Sequence, residues 1–257
     1  MLSPNKLRKT VLDMVFEKKS GHIGGSFSLA ELISLLYSEF DLANEDRKNK
    51  LILSKAHCVP ILYAALHELG KITKEELKTF REINSRLQGH CDKVKLPLLD
   101  FTGGSLGQGL SVALGHALAK NLKKERGAIF CILGDGELAE GEVWEALMCA
   151  PKFKLKNLIC IIDWNKIQSD GYVQDVLPIY KNLKQKIVSF GWDCRLIDGH
   201  NIDKIRKCLN GQYLKPLCII LSTIKGKGVS FMENNPSYHS QIPTKEEYEK
   251  ALKELGF

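Results

Sequence analysis

No C-x-x-C pair occurs in this sequence: its eight cysteines stand apart at positions 58, 91, 131, 149, 160, 194, 208 and 218. That spacing offers neither a zinc site nor a disulfide framework. No apolar run approaches the roughly 20 residues that crossing a bilayer requires. The opening MLSPNKLRKT is basic with no apolar stretch behind it, so a secretory signal is not expected and the cytoplasm is the expected location. Repeats, low-complexity tracts and linkers rich in Pro, Gly or Ser are missing too, and the chain reads as one domain. Basic residues outnumber acidic ones, for a net charge of +7, but they are scattered. Of the densest clusters (Lys6 to Lys9, Lys152 to Lys156, Lys225 to Lys227) only the second has an interleaved aromatic, Phe153. A nucleic-acid groove is therefore not expected. A solvated surface, with a site for anionic substrates, is.

What is present is an alternation. Nearly continuous apolar runs recur at Leu51 to Leu53, Ala128 to Leu133, Leu158 to Ile162, Cys194 to Ile197 and Leu217 to Ile224. Such runs suit strands covered on both faces, and Cys131, Cys160 and Cys218 within them read as small hydrophobes. Between them lie segments of helical period: Leu7 to Glu17, Leu29 to Phe40, Pro60 to Leu69, Gln108 to Leu122, Val143 to Ala150 and Ile202 to Leu209. Thr73 before Glu76, and Ser28 before Glu31, have capping-box spacing. Alternating strands and helices predict an α/β fold, with a central, mostly parallel sheet and helices on both faces. Ligands in such folds bind beyond the carboxyl ends of the strands.

Two strand ends carry chemistry. Ala128 to Leu133 runs into Gly134, Asp135, Gly136 and Glu137. Glycines there permit a tight turn and a close approach, and the aspartate can hold a hard cation against phosphate oxygens. Taken alone, the same residues fit an ordinary turn. Leu158 to Ile162, however, ends in Asp163, Trp164, Asn165, Lys166 and Ile167, so neighbouring strands would aim Asp135 and Asn165 at one point.

With GDGELAEG followed by DWNKIQSDG, the chain resembles the transketolase family of thiamine diphosphate enzymes. The resemblance extends through SGHIGGSFS, LSKAHC, LKTFREINSRLQGH, TGGSLGQGLSVALGHALA, IKGKGVSFMENNP and NNPSYHSQIP, nearly the whole chain. It implies the diphosphate-binding (PP domain) fold over residues 1–257. It also implies thiamine diphosphate with Mg2+, or another divalent cation such as Ca2+, held by Asp135, Asn165 and the Ile167 carbonyl. Gly134 and Gly136 would lie against the diphosphate, as would His57 and His239. Gly104, Ser105 and Leu106 would pass beneath the aminopyrimidine, with the helix from Gln108 pointing its positive end at the site. His22, His90 and His239 would surround a ketose donor and assist its proton transfers. Glu140 matches a glutamate of an inter-subunit network, or is a solvated residue at a helix start. His67, His116 and His200 match no motif and read as packing or surface residues. Ile23, Ala56, Cys91 and Ser240 depart from the residues usual at their positions, leaving the sugar donor open.

The resemblance also implies a missing piece. The glutamate that activates the aminopyrimidine belongs to a following domain, and the chain ends at KELGF where that domain would begin. The expectation is a split transketolase, transferring a two-carbon ketol unit from a ketose or ketose phosphate to an aldose. Its partner would be the pyrimidine-binding C-terminal subunit, in an α2β2 heterotetramer, with no nucleic-acid or membrane partner. An enzyme of specialised sugar biosynthesis with another donor is the alternative. A decarboxylating 2-oxo acid dehydrogenase fits KGKGVSFMENN and SGHIGG less well, and a non-catalytic paralogue would have lost ligands that are present here.

Overall fold

The apolar runs become the strands of a 5-stranded parallel sheet in the computed structural model, which describes residues 1–169, 171–178 and 181–257. In chain order the strands are β1 (Lys50–Leu53), β2 (Ile129–Gly134), β3 (Leu158–Trp164), a short antiparallel hairpin β4 (Ile167–Gln168) and β5 (Gly171–Tyr172), then β6 (Asp193–Asp198) and β7 (Leu217–Ser222). The sheet order is β1-β2-β3-β7-β6. This places β2 beside β3, with Gly134 in register with Asp163.

The helices are α1 (Pro4–Lys18), α2 (Gly24–Ser28), α3 (Ala30–Glu39), α4 (Pro60–Glu68), α5 (Lys74–Leu77), α6 (Gln108–Lys123), α7 (Gly141–Lys152), α8 (Val173–Val176), α9 (Leu183–Ser189), α10 (Ile202–Leu209) and α11 (Lys245–Leu255). Alternate strand residues feed two cores. Phe130, Ile132, Ile159, Ile161, Ile219 and Leu221 pack under α1, α3, α4, α10 and α11. Ile129, Leu133, Leu158, Ile162 and Ile220 pack under α6, α7 and α9 on the opposite face. Because both faces of the central strands are dry, their apolar residues follow one another without a break, which is why the runs show no alternation. The edge strand β6 is the exception, with Arg195 and Leu196 exposed.

Cys131, Cys160, Cys218 and Cys194 fall in register across β2, β3, β7 and β6 and form one row of buried free thiols on the α6–α9 face. They serve there as small apolar side chains.

The capping box at Thr73 forms, with Glu76 N donating to Thr73 Oγ1 and Thr73 N to Glu76 Oε2. The one expected at Ser28 does not. Ser28 ends the preceding helix α2 and donates to Gly25 O and Asp163 Oδ2, while Glu31 forms a buried ion pair with Arg8 at 2.7 Å. The burial of both side chains outweighs a surface cap, and spacing alone does not reveal burial. Among the described residues no helix is long and apolar enough to cross a membrane.

Candidate active site

Parallel strands deliver their following loops to one end of the sheet. Beyond β1 come Lys55 and His57, beyond β2 Asp135, beyond β3 Asn165 and Ile167, and beyond β7 Lys225 and His239. These residues line one cavity of about 360 Å³, joined by His22, His90, Gly104, Leu106, Gly134, Gly136, Glu137 and Glu140. The predicted site is thus gathered in one place, apart from Ser105, which is exposed and does not line the cavity. Asp170 of the DWNKIQSDG motif lies outside the described residues.

Asp135 joins the β2 and β3 loops: Oδ1 accepts Gly136 N at 2.8 Å and Oδ2 accepts Lys166 N. Burial, and then the neighbouring Asp163, push its carboxyl up to about 7. A bound cation would reverse that shift by favouring the charged form. Asn165 Oδ1 accepts Ile167 N at 3.1 Å. A carboxylate, an amide oxygen and a main-chain carbonyl are the hard donors that Mg2+ or Ca2+ takes, and each such oxygen has more than one lone pair. The residues present therefore fit a divalent cation. Gly136 is confined by Gln168, whose Cβ would stand 2.7 Å from a Cβ added there.

Beneath these donors lies a buried ion pair between two motif residues to which the sequence assigns no role of their own. Lys55 Nζ meets Asp163 Oδ2 at 2.6 Å, with both side chains almost inaccessible. Burial opposes both charges, but each holds the other ionised: Asp163 stays below the ordinary carboxyl range and Lys55 above the ordinary lysine range. Lys225 belongs in sequence to a basic cluster, yet it is 1% exposed. Its Nζ donates to Ile167 O at 3.0 Å and to His239 Nδ1 at 3.0 Å. Burial, and then Lys55, lower Lys225 to about 8. In sequence it looks like any lysine of a basic tract, and only the returning chain after β7 buries it.

The four motif histidines form a cluster. The His22 ring centroid lies 5.1 Å from that of His57, 6.0 Å from His90 and 5.2 Å from His239, and His57 is 5.3 Å from His239. Burial first, and then nearby cations, lower His22 to about 4 and His239 to about 3, and hold His57 well below the usual imidazole value. Neutral rings can donate from one nitrogen and accept at the other. The Lys225 ammonium can only donate, so His239 accepts at Nδ1 and carries its proton on Nε2. Arg81 Nη2, 3.5 Å from His22 Nδ1, imposes the same arrangement on His22. The remaining histidines do pack elsewhere. His67 Nδ1 meets Ile72 O, and His200 accepts Ile224 N while holding Glu31, which anchors the segment leading to Lys225.

The TGGSLGQG loop reaches the cavity through Gly104 and Leu106. Two amides at the start of α6 find acceptors within the protein. Gly107 N donates to Glu137 Oε1 at 2.8 Å and Gly109 N to Ser54 Oγ at 3.1 Å. Gly107 has φ +88, in the left-handed region that glycine reaches without strain. Glu137 is fully engaged, also accepting Gly134 N at 2.9 Å and the Ser54 hydroxyl. Glu140 is exposed at the cap of α7 and makes no side-chain cap bond there. Ile23, Ala56 and Cys91, each next to a cluster histidine in sequence, are buried and do not themselves line the cavity.

The family model described as "Transketolase, thiamine diphosphate binding domain" matches residues 2–257. The chain is 41% identical to the 6-deoxy-6-sulfo-D-fructose transketolase subunit SqwG of Clostridium sp., over 98% of this chain and 94% of the relative. It is 36% identical to an apulose-4-phosphate transketolase subunit of Phocaeicola vulgatus, over 99% and 93%. The crystal structure of Campylobacter jejuni transketolase superposes with a TM-score of 0.91 at 33% identity, covering 99% of this chain and 42% of that one. The chain thus spans about two fifths of a whole transketolase and nearly all of the separate subunits. With the fold, the clustered strand-end ligands and the family match in agreement, the chain belongs to the transketolase family, as its thiamine diphosphate-binding domain.

Proposed function

We propose that this chain is the diphosphate-binding subunit of a two-chain transketolase, moving a two-carbon ketol unit from a ketose to an aldose. The observation that carries the reading is the cavity itself. It gathers oxygen donors, buried lysines and neutral histidines for one end of the cofactor, while its buried glutamate, Glu137, is spent on capping α6. Residues 1–257 act as one domain, which the single sheet serving both cores supports.

Bound thiamine diphosphate supplies the carbanion chemistry that takes up and releases the ketol unit. Asp135, Asn165 and the Ile167 carbonyl would hold the divalent cation that accompanies the diphosphate. Lys225, His57 and His239, which line the cavity, would bind its anionic oxygens, and Gly134 and Gly136 would let the backbone come close. Gly104 and Leu106, which line the cavity, would support the aminopyrimidine. His22 and His90 donate to, and exchange protons with, oxygens of the donor sugar. Glu140 meets the neighbouring subunit. The glutamate that activates the aminopyrimidine comes from a pyrimidine-binding partner chain, in an α2β2 assembly.

The donor is a ketose with an anionic end. This is supported by the two subunit relatives, whose names specify 6-deoxy-6-sulfo-D-fructose and apulose-4-phosphate. Those names also favour a specialised sugar over a central-carbon one.

The test is a ketol-transfer assay of the purified chain, alone and with the product of the adjacent reading frame. Activity is expected only for the pair. Full activity of this chain alone overturns the split reading.

A further inference from the structure

We infer that Asp163 is a positioning residue: it decides which end of the Asn165 amide faces the cavity, and so prepares the cation site. The inference rests on the cation-site reading of Asp135, Asn165 and Ile167. The two ends of an asparagine amide are nearly identical in size, so packing alone cannot choose between them. Here the choice is made by hydrogen bonding. Asn165 Nδ2 donates to Asp163 Oδ2 at 3.1 Å. A carboxylate only accepts, so the NH2 end must face Asp163 and the oxygen must face the other way. There Oδ1 accepts Ile167 N at 3.1 Å and keeps a lone pair for a cation. Turned around, the amide would set a donor against the Ile167 N–H and against any cation.

Asp163 is itself held from several directions. It is 0% exposed, and it accepts from Lys55 Nζ at 2.6 Å, from Ser28 Oγ at 2.6 Å and from the Thr223 hydroxyl. Those donors come from the loop after β1, the end of α2 and the end of β7. The orientation of one amide is thereby fixed by three other segments of the chain.

The test uses the full chain with Mn2+ and thiamine diphosphate, reading free Mn2+ by electron paramagnetic resonance and folding by circular dichroism. Asp163→Asn keeps an oxygen towards Lys55 and Asn165, so Mn2+ affinity stays within about threefold of wild type. Asp163→Leu combined with Lys55→Met removes the acceptor and its counter-charge, and Mn2+ binding weakens at least about tenfold. Adding Asn165→Asp to that pair restores binding, because a carboxylate presents oxygen from either end; loss of Lys55 alone would not be restored this way. A folded Asp163→Leu/Lys55→Met protein with wild-type affinity overturns the inference, as does failure of Asn165→Asp to restore binding. Asp135→Ala serves as the reference. If it too leaves Mn2+ binding unchanged, the cation-site reading itself falls. In the wild-type chain, the Asn165 side-chain amide protons should exchange slowly with solvent by NMR, and fast exchange overturns the orientation without recourse to any variant.

Discussion

Glu137 Oε1 accepts the Gly107 amide at 2.8 Å, which ties the loop after β2 to the start of α6. The same carboxyl accepts Gly134 N at 2.9 Å and the Ser54 hydroxyl. Glu137→Gln keeps one oxygen but turns an NH2 group towards one of these donors. The expected cost is about 2 kcal/mol, which corresponds to a fall in Tm of about 4–8 °C. Calorimetry of the two proteins checks it, and an unchanged Tm would show that the three bonds contribute nothing net.

Lys225 places a buried cation 3.0 Å from the Ile167 carbonyl and 3.0 Å from His239. Lys225→Met preserves the bulk and removes the charge. Thiamine diphosphate affinity should fall about tenfold or more, since charge-assisted contacts to phosphate are lost. Titration calorimetry at low and high salt provides the check. An affinity independent of residue 225 places this lysine outside the diphosphate contacts.

The histidine cluster makes the cofactor-free protein sensitive to acid. His22 lies at about 4 in the folded chain against 6.5 ordinarily, and His239 at about 3. The unfolded chain therefore binds more protons below pH 6.5, and stability falls as pH drops from there towards 4. Urea midpoints measured between pH 7.5 and 5 should decline, and more shallowly in His22→Gln. A flat profile means that the rings take up protons in the folded chain over the same pH range as in the unfolded one.

The row of thiols across the sheet predicts a reversed order of conservatism. Cys218 is fully buried between Cys160 and Cys194 in register. Cys218→Ser, although close in shape, buries a hydroxyl and should cost about 1–3 kcal/mol. Cys218→Ala should cost less. Equal urea midpoints for the two variants would contradict the small-hydrophobe role.

The motif residues are legible in the sequence because the cofactor's demands are local. A cation needs oxygen donors, a diphosphate needs close backbone, and each is met by a few residues after a strand. Lys55, Asp163 and Lys225 are harder to see. Their side chains meet partners 108 residues away for Lys55 and Asp163, and 58 for Lys225 and Ile167. Spacing along the chain carries no signal for such contacts.

Residue order alone was enough for the α/β alternation, the strand-end positions of Asp135 and Asn165 and the family of the chain. Hydrophobic period and local turn chemistry depend on neighbours in the sequence. Which charges are buried was settled by folding. It drew Ser28 and Glu31 from a surface cap into the interior, tied the start of α6 to Glu137, and left Ser105 outside the cavity. Those outcomes depend on what solvent can reach, and that is fixed only when the sheet brings its loops together.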